Sequence, residues 1–377
     1  MVAGTEGPAR GQGPAPTGGS ARITARDVAR AAGVSQATVS RVLNRRSGVS
    51  EATRQRVLHA VSRLGYLPNE AARTLVARKS RTLGLIIADI TNPFYAETAK
   101  VVAATAQDLG YSVILCNTDN DPRLEQEYLQ VLLSRQVDGI LFGSVRTGDE
   151  SVRKLIDSGF PVVMYNRYLG PDVGNYVVID NVKAAYEATR YLISLGHRDI
   201  AFLGGPEAFS TASERKRGFL NALQDEGIPL RPQWVCAGMY RSAMAYQVAL
   251  RLLTGTPRPT AILAANDLMA LGVLDAAVSS RVPVPGHLSV MGFDDVEMAS
   301  HQLIRLSTVS QDRKQMAEIA VRALLDLVEG KAMPPLRTVL PPTLIIRATT
   351  APPPGEPVVS AEAAPAARAG ALATGSG

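Results

Sequence analysis

Between Thr24 and Asn44, in TARDVARAAGVSQATVSRVLN, apolar residues fall at helical spacing on both sides of Gly33. Val28, Ala29 and Ala32 precede it; Val39, Val42 and Leu43 follow it. The pattern predicts two short helices that meet across a tight turn and share one buried face. Both starts are marked: Thr24 with Asp27 three residues on has the spacing of a capping box, and Ser35 is an N-cap for the second helix. Ser50 caps a third helix, EATRQRVLHAVSRLGY, whose Val57, Leu58, Val61 and Leu64 are expected to close a small three-helix core. Gln36, Ala37, Thr38, Ser40 and Arg41 lie off the buried stripe of the second helix and are small, polar or cationic, which suits a helix placed in a major groove. This is the pattern of a helix-turn-helix, and also of an ordinary helical hairpin.

After about residue 81 the period changes. Short, β-branched apolar runs (TLGLIIAD, YSVILCN, GILFGS, PVVMYN, YVVID, IAFLGG, TAILAAN and LSVMGFD) are mostly followed by helical segments such as YAETAKVVAATAQDLG, NVKAAYEATRYLISLG and SERKRGFLNALQDEG. Alternating strand and helix predicts parallel sheets with helices on both faces, and such sheets bind ligands outside the carboxyl ends of their strands.

Charge separates the two regions. Residues 22–81 hold thirteen Lys and Arg against Asp27, Glu51 and Glu70, about +10, while residues 82–377 are about −4. A basic head of sixty residues on a mildly acidic body is an electrostatic footprint for nucleic acid, and its coincidence with the helix pair favours DNA reading over a plain hairpin. At 377 residues the chain exceeds a single core and leaves room for two lobes behind the head. Cys116 and Cys236 sit in separate apolar stretches without metal or redox spacing and read as free thiols of a reducing cytoplasm. Without a signal-like apolar region or an 18-residue apolar run, neither secretion nor membrane insertion is expected. Residues 1–21 and 349–377 have the composition of disordered tails.

The strand ends carry the candidate chemistry. Asn92, Phe94 and Tyr95 follow the first strand; Asn166 and Arg167 follow PVVMY; Arg215 lies in the helix after IAFLGG; Asn266 and Asp267 follow TAILAA; Asp294 and Asp295 follow LSVMGF. Amide, carboxylate and guanidinium groups hold vicinal hydroxyls, and aromatic rings cover C–H faces, so a sugar or polyol is the leading ligand class. Each residue also has a structural explanation: Phe94 and Tyr95 as core aromatics, Arg167 and Arg215 in internal ion pairs, Asp294 as a hinge residue, Asp295 as a helix cap. An enzyme is the competing class. The four histidines lack a neighbouring nucleophile motif, and GxSxG, a Walker loop, GxGxxG after a strand and metal-ligand spacing are all missing, so neither catalysis nor a metal or cofactor is expected.

The run from Ile23 to Leu75, followed by TLGLIIADITNPFYAE, resembles the lactose-repressor/galactose-repressor (LacI/GalR) family of bacterial transcription regulators, and the resemblance extends to about Arg347. It implies an all-α helix-turn-helix head (22–67), a hinge helix and linker (68–81), and an α/β two-lobed effector domain like the periplasmic binding proteins (82–348). Lobe 1 would comprise about 82–180 and 311–340, and lobe 2 about 181–310 and 341–348. Crossings between lobes are expected near Asp180, Phe293 to Asp295, and Thr308 to Gln311. The DNA-binding positions it implies are Ser35, Gln36, Ala37, Thr38, Ser40 and Arg41, flanked by Thr24 and Asn44. In the hinge they are Asn69, Ala72 and Leu75, the leucine wedging between base steps of the minor groove. Its effector positions match Asn92, Phe94, Tyr95, Arg167, Arg215, Tyr240, Asn266, Asp294 and Gln311, with Asn166 where sugar-binding relatives often have Asp. That exchange removes a negative charge and leaves a nucleoside or a sugar acid open beside a neutral sugar. The implied protein is a homodimer on a near-palindromic operator, most often a repressor released by a sugar.

Overall fold

The computed structural model describes residues 23–43, 47–66, 79–331 and 334–355, and the chain divides into two compact units at Ser80. The expected positions Asn44, Asn69, Ala72 and Leu75 lie outside the described residues.

The first unit is the three-helix head. Helix α1 (Ala25–Ala32) starts in the expected capping box: the Thr24 hydroxyl accepts from Asp27 N, and Asp27 Oδ2 accepts from Thr24 N at 3.0 Å. It ends at Gly33, whose φ of 64° is the left-handed conformation that glycine adopts without strain. Helix α2 (Gln36–Leu43) begins at Ser35, whose Oγ accepts from Thr38 N at 3.1 Å, and α3 (Glu51–Leu64) is capped by Ser50. Val28, Ala29, Ala32, Val39, Val42, Val57 and Ala60 form the core. Leu58, expected inside, is exposed, because the inward stripe of α3 runs through Val57, Ala60, Val61 and Leu64. One step along a helix turns a side chain by about 100°, which carries Leu58 off that face.

The second unit holds two sheets. All eight predicted strands form. The first sheet contains β1 (Thr82–Ile87), β2 (Ser112–Asn117), β3 (Gly139–Phe142), β4 (Val162–Tyr165), β5 (Asn175–Ile179) and the late β11 (Arg337–Leu340), in the order β11-β5-β4-β3-β1-β2 and parallel throughout. Helices α4 (Pro93–Asp108), α5 (Pro122–Ser134) and α6 (Glu150–Asp157) connect its strands, and α11 (Arg313–Val328) packs on it. In the second sheet β6 (Ile200–Gly204), β7 (Val235–Ala237), β8 (Ala261–Ala264) and β9 (Ser289–Met291) run parallel in the order β7-β6-β8-β9, joined by α8 (Ser210–Asp225), α9 (Ser242–Thr254) and α10 (Asp267–Ser279); α7 (Asn181–Ser194) leads into it. Bridges from Met291 to Ser307 and from Asp294 to Ser310 extend this sheet to β10 (Thr308–Ser310), which pairs antiparallel with β12 (Thr343–Ile345). The sequence pattern missed β7, β10, β11 and β12, which have only three or four residues each.

The chain passes between the sheets after Ile179, between Ser310 and Arg313, and between Leu340 and Thr343. The expected crossing at Phe293–Asp295 is therefore corrected. This segment stays beside the second sheet, with Asp294 N donating to Val309 O at 2.8 Å. Residues 349–351, expected to belong to a tail, are instead held against the second sheet. Thr349 is buried, accepts from Ser307 N at 2.9 Å and donates to Val290 O at 2.7 Å, while Ala351 N donates to Ser289 Oγ at 3.0 Å. Thr349 thus satisfies backbone groups beside β9, a pairing that composition does not register. No helix among the described residues is long and apolar enough to cross a membrane, and Cys116 and Cys236 are free thiols.

One buried acid in the first lobe gives the fold a pH dependence. Glu125 on α5 is 3 % exposed and accepts a hydrogen bond from the Ser144 hydroxyl. Burial, together with the neighbouring Asp149, pushes its carboxyl up to about 7. A carboxyl whose folded pKa lies above its unfolded value stabilises fully below the unfolded value and loses that contribution as pH rises through the folded one. The protein is therefore expected to lose on the order of 2 kcal/mol between about pH 5 and pH 8 from this group. Asp267 and Asp294, also raised by burial, add in the same direction. Thermal melts across that range should show Glu125→Gln with a flatter profile and a higher melting temperature at pH 8 than the wild type; an unchanged slope would refute the assignment.

Candidate functional site

The expected effector residues except Gln311, which reaches the group through Asp294, converge on one cleft between the two sheets. Asp89, Asn92, Phe94, Tyr95, Asn120, Asn166, Arg167, Thr211, Arg215, Met239, Tyr240, Arg241, Asn266 and Asp294 line it. Most stand just past the carboxyl ends of strands, where a parallel sheet leaves its crevice. Asn120, Asn166, Tyr240 and Asp294 all have positive φ (60°, 63°, 57° and 120°). Such non-glycine conformations cost about 1–3 kcal/mol each and cluster at functional sites.

Lobe 1 contributes a preset floor. Asn92 caps α4, its side chain accepting from Phe94 N at 3.1 Å, and Pro93 opens the helix. This cap fixes Phe94 and Tyr95, which meet edge to face with centroids 5.2 Å apart. Both are fully packed, so the core reading and the cleft reading hold together. The Tyr95 hydroxyl donates to Gly143 O at 3.2 Å and accepts from Asn166 Nδ2 at 3.3 Å. Beside it the Arg167 guanidinium lies 3.7 Å from the Phe209 ring centroid and donates to Asn120 Oδ1 at 3.2 Å.

Lobe 2 contributes a balanced charge pair. Arg215 is 2 % exposed, donates from Nε to Asn181 Oδ1 at 2.9 Å and from Nη1 to Ala265 O, and stacks 3.5 Å from the Phe293 ring centroid. Asp294 Oδ1 stands 3.8 Å from Arg215 Nη1 and accepts from Gln311 Nε2. Burial raises the Asp294 carboxyl above the ordinary aspartate range, and Arg215 opposes that rise. Asn266 caps α10 by accepting from Met269 N at 2.8 Å. Tyr240 reaches the cleft over Gly205, where any Cβ would stand 2.2 Å from the ring, and its hydroxyl bonds Thr211 at 3.0 Å. Asp295 does not cap a helix: it pairs with Arg347 at 2.6 Å, and the turn that follows starts from Val296.

Near the cleft a second link ties the lobes. Glu97 on α4 pairs with Arg313 at 2.7 Å and accepts from Glu297 N of the second lobe at 3.0 Å, while Arg313 Nη1 donates to Asp294 O. The sequence reading missed Asp89, Asn120, Thr211, Met239 and Arg241. For Asp89 and Asn120, and for the partner Asn181, the signal was present, since each closely follows a predicted strand. Arg241 follows β7, which the sequence pattern missed, and Phe209 carries no comparable signal.

Unpartnered atoms mark the cleft further. Of the buried side-chain polar atoms without a hydrogen-bond partner among the described residues, Asn166 Oδ1 and Arg167 Nε belong to residues that line the cleft and Gln311 Oε1 to the residue that donates to Asp294, while Tyr165 Oη and Ser280 Oγ lie off its lining. Buried polar groups are normally satisfied, so atoms left open around one crevice are what a polar ligand would complete. Among the described residues no cluster of His, Cys, Asp or Glu could hold a metal ion.

In the head, Ser35, Gln36, Ala37, Ser40 and Arg41 lie on the exposed side of α2 and Thr38 is half-buried, with Thr24 exposed at the start of α1. The expected reading face is therefore presented outward by a packed three-helix unit.

A helix-turn-helix head joined to a two-lobed α/β body with a polar cleft defines a DNA-binding regulator governed by a small ligand. Two family models match: bacterial regulatory proteins of the lacI family over residues 24–69, and the periplasmic binding proteins and sugar binding domain of the LacI family over residues 80–328. The chain is 35% identical over 337 residues to the HTH-type transcriptional regulator DegA of Bacillus subtilis (strain 168), covering 88% of this chain and 99% of that protein. Among solved structures it matches the Lac repressor dimer bound to operator and the anti-inducer ONPF (TM-score 0.79, 28% identity, 88% of this chain and 100% of that one). It also matches the transcriptional regulator CelR in complex with cellobiose (TM-score 0.66, 32% identity, 87% of this chain and 100% of that one). The chain belongs to the LacI family of bacterial transcriptional regulators.

Proposed function

We propose that this protein is a repressor that binds a near-palindromic operator as a homodimer and releases it when a monosaccharide-sized, hydroxyl-rich effector closes the cleft. The observation that carries the effector half is the set of unpartnered buried donors and acceptors on Asn166, Arg167 and Gln311 beside the Arg215–Asp294 pair. The related CelR structure, with cellobiose bound, supports the same class. In the head, Gln36, Ala37 and Arg41 read bases in the major groove while Thr24, Ser35, Thr38, Ser40 and Asn44 hold phosphates or position the helix. Asn69, Ala72 and Leu75 engage the minor groove.

The ligand acts through its differential affinity for two states of the dimer. Asp294 is where such a difference can arise, because its carboxylate faces the cleft and its carbonyl is held by Arg313, which also pairs with Glu97 of the other lobe. Polar interactions and ligand hydroxyls crossing the same seam favour closure together.

The test is titration of the purified chain with genomic operator fragments, with and without sugars. Sequence-selective binding weakened by one sugar supports the proposal; tightening by the sugar would make it a co-repressor, and no sequence preference under either condition would overturn it. Arg41→Ala is expected to cost about 1–3 kcal/mol of specific operator affinity, the worth of a base contact. Unchanged discrimination between operator and random duplex would remove Arg41 from the reading set.

A further inference from the structure

The two halves of the cleft differ in charge balance. Arg215 faces Asp294, and its Nε and Nη1 are both engaged. Arg167 is 3 % exposed, yet among the described residues it has no carboxylate within ion-pair distance, and its Nε has no acceptor. What surrounds it is neutral: the Asn120 amide, the Phe209 ring below, and the rings of Tyr95 and Tyr240 with centroids 5.9 and 5.8 Å away. Burying a guanidinium among neutral groups is unfavourable unless an anion joins it.

The next residue sharpens the point. Asn166 supplies an amide whose Oδ1 is also unpartnered, where an aspartate would have placed a negative charge in the cleft next along the chain to Arg167. The amino end of α8 adds to the field. Its N-cap Phe209 provides no side-chain cap, and Thr211, one residue into the helix, lines the cleft. Uncapped helix amino ends favour negative charge. Arg241 stands at the rim and adds a third arginine against the aspartates Asp89 and Asp294.

We infer that the effector is a small sugar acid, a polyhydroxy carboxylate whose carboxylate pairs with Arg167 while its hydroxyls engage Asp294, Arg215, Asn92 and Asn266. The inference rests on the proposed sugar-type effector and deepens it. A carboxylate matches the planar edge of a guanidinium already stacked on an aromatic ring, which leaves in-plane N–H groups as the route of approach. The hydroxyl end then falls toward the balanced half, where the carboxylate of Asp294 and the amides accept and donate.

Calorimetric titration of the full chain decides it, using ribonate, gluconate and galacturonate beside ribose, glucose and galactose. At least one acid is expected to bind about tenfold or more tightly than its neutral parent, as a charge-assisted pair implies. Asn166→Asp should erase that preference, because the protein then carries the counter-charge itself; should this variant not fold, the ranking by the wild type decides alone. A neutral sugar that binds as well as or better than its acid overturns the inference and leaves the proposed function standing, and a sugar phosphate binding more tightly than every carboxylate overturns the choice of acid. If none of the sugars or acids binds, the sugar-type effector fails with it.

Discussion

Arg215→Ala is expected to abolish the effector response, lowering ligand affinity by more than about a hundredfold, the scale of a buried hot-spot residue. Arg215 holds three things at once: the Asn181 amide through Nε, the Ala265 carbonyl through Nη1, and the charge of Asp294 at 3.8 Å. Its face also covers Phe293. Removing one member of a buried charge pair commonly costs about 3–5 kcal/mol. Here the stability loss is expected below that range, because Asp294 is already pushed toward its protonated form by burial and will take up a proton when its cation is gone. A protonated Asp294 no longer offers hydroxyls a carboxylate, so binding suffers more than folding. Operator binding without ligand should persist, since the head is a separate compact unit with its own core. Calorimetry and operator titration on the same preparation check both halves. Retained ligand affinity would remove Arg215 from the site, and joint loss of both activities would mark a folding defect.

Gly218→Val is expected to destabilise the body by about 3 kcal/mol or more, the high end for overpacking. Gly218 lies in α8 where that helix meets α7, and even a single Cβ there would stand 2.2 Å from Val182 O and 2.9 Å from Tyr186 N. Those atoms are helix backbone and cannot rotate aside as a side chain can. The two helices must therefore separate, which opens the layer containing Ala185, Phe219 and Ala222. Because α8 also carries Thr211 and Arg215, the shift reaches the cleft. Denaturant unfolding would register it as a lower midpoint, whereas the wild-type midpoint would show that α7 and α8 tolerate a wider spacing.

Much of this organisation was readable before any coordinate. The capping box at Thr24 and Asp27, the stripe Val28, Ala29, Ala32, Val39 and Val42, and eight strands formed where their periods placed them. The rule that parallel sheets bind ligands at strand ends brought Asn92, Phe94, Tyr95, Asn166, Arg167, Arg215, Asn266 and Asp294 together, and the family resemblance added Tyr240. Gln311, also implied by the resemblance, reaches the same group through Asp294. Other features had no local signature. Leu58 fits a helical stripe on paper but sits one step off the inward face, and Thr349 belongs to a composition typical of tails yet is buried beside β9. Arg347 and Asp295 pair across 52 positions, while Glu97 and Glu297 meet across 200.

By itself, then, the sequence determined the elements, the basic head and the kinds of side chain at the strand ends, because caps, periodicity and charge act within a few residues of one another. Tertiary structure decided which of those side chains meet. It balanced Arg215 with Asp294, left Arg167 among neutral neighbours, kept Phe293–Asp295 beside the second sheet instead of at a lobe crossing, and tied Arg313 to Glu97. Such pairings depend on how two sheets are stacked and where the chain passes between them, and no short stretch of chain encodes that distance.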